Sequence, residues 1–164
     1  MDIYGEILET LRGQLQANTF LLELSKEKSD VLKENDTSRL MHISSEEEKL
    51  VRHIINLEKK RADLIVRLRG KDNNVTDIIE HISQTSPEIA STIKQVAENL
   101  KDVLRQLQLQ NELNDKVMEI ALEQIEFSKN VLMNTSQPST YGKVKGNYAG
   151  EKQVPGTKFF EDKF

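Results

Sequence analysis

The sequence contains no cysteine and no tryptophan. That excludes disulfides, thiol catalysis and cysteine-based zinc sites, and it is compatible with a reducing cytoplasm. Aromatic residues make up only 5% of the 164 residues. So few large rings suit long amphipathic helices better than a compact mixed sheet. No uninterrupted apolar run is long enough to span a bilayer. The amino terminus carries Asp2 and Glu6 rather than a basic stretch before an apolar core, so no secretory signal is expected. Neither sign of charge dominates: 23 basic residues stand against 27 acidic ones, net −4. No basic stripe of the kind that follows a nucleic-acid backbone is present.

What the sequence has is helix. Ser86-Pro87-Glu88 reads as a helix start: a capping Ser, a Pro where no N–H is needed, and a Glu at the positive end of the dipole. No Pro or Gly follows until Pro138. The spacing predicts a helix over 87–133, roughly 70 Å long at 1.5 Å per residue. Its apolar residues step by threes and fours through Ile89, Ile93, Val96, Leu100, Leu104 and Leu107. The same stepping continues through Asn111, Asn114, Met118, Ala121, Ile125, Ser128 and Leu132. One face therefore runs from apolar to polar to small and mixed. Two readings are open: asparagines that fix register, as in coiled coils, or a surface left for a partner.

Two helices precede it, over about 2–34 and 37–69. The first carries Leu8, Leu11, Leu15, Leu22 and Leu32 on one stripe, with Asn18, Ser25 and Ser29 as polar members. Gly5 and Gly13 weaken it, or admit a close neighbour. Asn35-Asp36-Thr37 is a break, with Asp36 or Thr37 as the next cap, and a break this short joins antiparallel neighbours. The second helix has an unbroken seam: Leu40, Ile43, Glu47, Leu50, Ile54, Leu57, Arg61, Leu64 and Leu68. Glu47 and Arg61 lie about 21 Å apart along the axis. They cannot pair with each other, so each is expected to find a partner on another helix or to reach water. Gly70 is the expected C-cap of the second helix and opens a loop through Asn74, and a short helix is expected over 76–84, with Ile78, Ile79 and Ile82.

From 135 to 164 the character changes. This stretch holds four of the seven glycines and two of the three prolines. Its five lysines against Glu151, Glu161 and Asp162 give +2, so the preceding residues carry −6. It reads as a flexible, disordered tail, yet it carries Tyr141, Tyr148, Phe159, Phe160 and Phe164.

Lengths give a further expectation. The fold class is all-α: an elongated antiparallel hairpin with a long C-terminal helix beside it, a three-helix coiled-coil-like bundle ending in the tail. A local connector makes the long helix run parallel to the first. At roughly 20 Å longer, its last turns, about Ala121 to Asn134, project past the hairpin turn. They carry Leu122, Ile125, Phe127, Val131, Leu132 and Met133, and exposed apolar surface of that extent needs a partner.

Catalytic constellations are missing. His42, His53 and His81 show no metal-ligand spacing, and there is no Glu-x-x-His pair, His-Glu-x-x-His motif or glycine-rich phosphate loop. Glu46-Glu47-Glu48 reads as a solvated face with one seam member. No enzyme, metal or cofactor is expected.

Several segments, in order, resemble the FlgN family of flagellar export chaperones. Glu48-Lys49-Leu50 with Leu57-Glu58-Lys59-Lys60-Arg61 is similar to the family's helix-two run. Asn111 and Asn114 ahead of an apolar run resemble its paired asparagines in the last helix. Thr140-Tyr141-Gly142 and Phe159-Phe160-Glu161-Asp162-Lys163 resemble its endings. The resemblance implies a cytoplasmic, non-enzymatic chaperone of type III export. It would hold terminal helical regions of hook–filament junction proteins and deliver them to the export gate. By the same resemblance the client site is the later half of the long helix: Asn111, Asn114, Val117, Met118, Ala121, Leu122, Ile125 and Leu132. Tyr141 resembles a tyrosine presented to the gate. No nucleic acid and no stable membrane insertion are implied, and a homodimer of the free chain is an open expectation. The alternative is a self-associating coiled-coil scaffold. The seam weakens after Leu107 to Asn, Ala and Ser, which favours a partner of different sequence over a second copy.

Overall fold

The computed structural model describes residues 2–69 and 74–133. They form four α-helices in the order α1 (Ile3–Glu34), α2 (Thr37–Arg69), α3 (Val75–Ser83) and α4 (Pro87–Met133). Among the described residues there is no strand. The protein is all-α, a helical hairpin with a long last helix alongside. The 135–164 tail, with Tyr141, Tyr148 and its phenylalanines, lies outside the described residues, as does the Gly70 cap.

Local chemistry sets the ends. The Asp2 side chain accepts from the Gly5 N–H at 2.8 Å and starts α1. Asn35 closes it in the left-handed region at φ 56, a conformation that asparagine tolerates better than most residues. One residue later Asp36 accepts from the Arg39 N–H at 3.0 Å, so Asp36 is the cap of α2. The short helix begins one residue earlier than its isoleucines suggest, because Asn74 caps it through a 2.8 Å bond from the Asp77 N–H. Thr85 and Ser86 then donate to the Ile82 carbonyl, and the Ser86 carbonyl accepts from Ala90 as α4 begins. The turn from α3 to α4 is thus tight, and Leu68 near the end of α2 and Ile89 near the start of α4 pack on the same cluster.

Cross-helix contacts give the directions. Gly13 faces Leu57, Gln14 bonds Glu58, and Lys28 pairs with Glu47, so α2 is antiparallel to α1. Thr85 meets Tyr4, and Asn111 and Asn114 meet Ser25, so α4 is parallel to α1. The central member is α1, which carries extensive packing with both α2 and α4.

The core is graded along the axis. At the base, Ile7 and Leu11 of α1, Leu64 and Ile65 of α2, Val75, Ile78 and Ile82 of α3, and Ile93 and Leu100 of α4 form one apolar cluster. Toward the hairpin tip the buried set becomes mixed, with Asn18, Ser25, Ser29 and Asn114 beside Leu22, Val31, Leu32 and Ile43. Between the two lies a buried ionic group. Arg61, only 1% exposed, donates to both carboxylate oxygens of Glu58, at 3.0 and 2.7 Å, and Gln14 Nε2 donates to Glu58 at 2.8 Å.

This corrects one expectation. Glu47 does find a partner on another helix, Lys28 at 3.0 Å. Arg61 instead pairs within α2, three residues back. Residues at i and i+3 share a helix face, so a carboxylate just off the seam neutralises the guanidinium within the same helix.

Candidate interaction surface

The later half of α4 divides into a part attached to α1 and a part beyond it. The attachment is polar. The Ser25 hydroxyl donates to Asn111 Oδ1 at 2.9 Å. Asn114 Nδ2 donates to the Ser25 carbonyl at 2.7 Å and to its hydroxyl oxygen at 3.1 Å. Gln110 donates to Asn114 Oδ1 at 3.1 Å. Asn114 is buried and Asn111 half-buried. A buried amide with its groups satisfied holds one alignment of two helices and penalises any slipped one, which would orphan it. These two asparagines therefore set the register of α4 on α1.

Val117, Met118 and Ala121 follow and are half-buried. Past them the exposure climbs: Leu122 is 37% exposed, Ile125 58% and Leu132 86%. The change falls where α1 ends. Asn35, at the hairpin tip, shares an open hollow of about 550 Å³ with Ala121, Ile125, Ser128, Leu132 and Met133. With 47 residues against 32 in α1, α4 is some 22 Å longer at 1.5 Å per residue. Its last turns project from the tip with an apolar face and no α1 beneath them. Of the residues named from sequence, Leu122, Ile125 and Leu132 stand on this projection, Val117, Met118 and Ala121 at its root, and Asn111 and Asn114 in the attachment. Tyr141 lies outside the described residues.

One set of residues lies off the seam. Leu109, Leu113, Ile120, Phe127 and Val131 are all exposed, between 48% and 71%. Their spacing of four, seven, seven and four is itself a helical stripe, legible once a second face is sought beside the first.

The chemistry available here is adhesion. Among the described residues no group of three or more His, Asp or Glu side chains is placed to hold a metal ion. No helix among them is long and apolar enough to cross a membrane. The hollow is open on one side, with no wall to exclude water. Such a surface can bind an apolar helix face, with Met118 and the small residues adapting to its shape.

A family model described as FlgN protein matches residues 1–149. The chain is also similar to the "Uncharacterized protein YvyG" of Bacillus subtilis (strain 168). The two are 31% identical over 137 residues, covering 84% of this chain and 85% of that protein. No solved structure matches it.

Proposed function

The chain belongs to the FlgN family, a family of flagellar export chaperones, and from that premise we propose that it holds a helical client on the projecting end of α4. The client is a hook–filament junction protein, bound in the cytoplasm through a terminal helical region and delivered from there to the export gate. One observation carries this reading: the turns beyond the hairpin tip expose Leu122, Ile125 and Leu132 on the continuation of a face that is buried or half-buried further back. An amphipathic client helix laid against that face would take the place α1 holds further back. Its apolar residues would fill the hollow beside Asn35. Binding would cover the client's own sticky surface before assembly, and no nucleotide or metal is called for. Tyr141 keeps its place in the proposal as the residue presented to the gate.

The test separates adhesion from folding. Leu122→Ser, Ile125→Ser and Leu132→Ser alter exposed side chains, so the triple variant should melt within a few degrees of the parent. Mixed with the terminal helical region of a junction protein, the parent should give a discrete heterocomplex by light scattering. The variant should lose it, with affinity down at least tenfold. Binding that survives the triple change would remove the projection from the mechanism. A parent that runs as a stable dimer and takes no client would favour the self-associating scaffold.

A further inference from the structure

The exposed row of Leu109, Leu113, Ile120, Phe127 and Val131 is distinct from the client face. On a 3.6-residue helix these five fall within about 40° of one another, some 140° round from the line of Leu107, Asn114 and Ile125. Unlike the client face, the row begins well before the hairpin tip, on the side of α4 turned away from α1. A helix with apolar stripes on two sides is built to be covered on both.

We propose that this row is the docking surface for the end of this chain, residues 158–164, with Phe159 and Phe160 seated on Leu109 and Leu113. Charge points to that occupant. Residues 109–133 carry Glu112, Asp115, Glu119, Glu123 and Glu126 against Lys116 and Lys129, a net −3. A second copy would bring two such surfaces together. Residues 134–164 carry +2, with Lys158 and Lys163 flanking the phenylalanines. Four glycines and two prolines keep that stretch from continuing as helix. The proposed strap is a flexible tether ending in rings that supply the contact area.

Reach agrees as well. From Met133 back to Leu113 is 20 residues of helix, about 30 Å. The intervening 25 residues, 134–158, have a root-mean-square span of about 25–30 Å as a flexible glycine-containing chain. A tether whose natural span matches the distance it bridges gives close to the highest effective concentration, in the millimolar range. Modest contacts between rings and leucines then suffice to hold the strap.

Because the sequence has no cysteine, a single Gln106→Cys places a nitroxide one turn from Leu109. The full chain is labelled there, without client, and nuclear relaxation is read at the backbone amides of residues 155–164. Strong attenuation of those amides is expected, and it should vanish when Leu109→Ser and Leu113→Ser are added. Both leucines are exposed, so the fold survives, and a thermal melt checks this. Unattenuated amides, or attenuation that persists in the double variant, would overturn the proposal. So would attenuation that appears on mixing nitroxide-labelled chains with isotope-labelled ones, since it would make the occupant a second copy. The measurement uses the free chain, so its failure leaves the client reading standing, and loss of client binding would leave the strap standing.

Discussion

Arg61 is the most consequential single residue in the hairpin. Its guanidinium is buried and held by Glu58, which in turn takes a hydrogen bond from Gln14 across the interface. Removing one member of such a pair strands a charge out of water. Arg61→Ala should therefore cost about 3–5 kcal/mol, read as a fall in the urea midpoint. Replacing the whole group, with Arg61→Met, Glu58→Leu and Gln14→Leu together, removes the desolvation cost as well. That variant should recover most or all of the loss; one no more stable than Arg61→Ala would show that the ionic group holds the hairpin by its own attraction. At the tip the stakes are smaller. Asn114→Ala deletes two bonds to Ser25 and should cost about 1–3 kcal/mol in the same assay.

Among the elements, α1 shows how a weak local choice serves packing. Gly13 sits mid-helix, where glycine loses up to about 1 kcal/mol against alanine. A Cβ built there would meet both Leu57 methyls at 3.4 Å, the near edge of ordinary contact. The glycine is a convenience of the interface rather than a necessity, since a leucine end can shift slightly. Gly13→Ala should raise stability by about 0.5–1 kcal/mol, seen as a higher melting temperature; a drop would mean that α2 sits too rigidly to give way. Much at this scale was legible in the sequence. The Asn35-Asp36-Thr37 break announces the start of α2, Pro87 that of α4, and the relative lengths place the projection near Ala121. The rest depended on contacts between residues far apart in the chain. Heptad stepping passes over Glu58, because nothing local marks an off-seam carboxylate as buried. It leaves Asn111 and Asn114 ambiguous until Ser25 is seen opposite them. It also follows one face of α4 and so steps across the Leu109 row, whose spacing was present all along.

For the whole molecule the change from one large apolar cluster at the base to a mixed core toward the tip sets the order of opening. Ile78, Ile82, Ile93 and Leu100 are fully buried in one cluster to which all the helices contribute, and such regions exchange amide hydrogen only when the whole fold opens. Beyond Asn114 the packing thins. Hydrogen exchange on the free chain should therefore be slowest over 89–100 and at least a hundredfold faster over 122–133. Uniform protection along α4 would contradict a projecting end. Client binding should slow the fast region and leave the base unchanged.

The parallel run of α4 against α1 has a mechanical consequence. A force along the long axis, drawing the projecting end away from the base, loads the Asn114–Ser25 bonds and the isoleucine cluster together, in shear. A force across the axis loads them one after another, tip first, as a peel. The same contacts are thus stiff in one direction and compliant in the other: a partner tugging lengthwise meets the strength of the whole bundle, while one levering sideways meets only the last few turns.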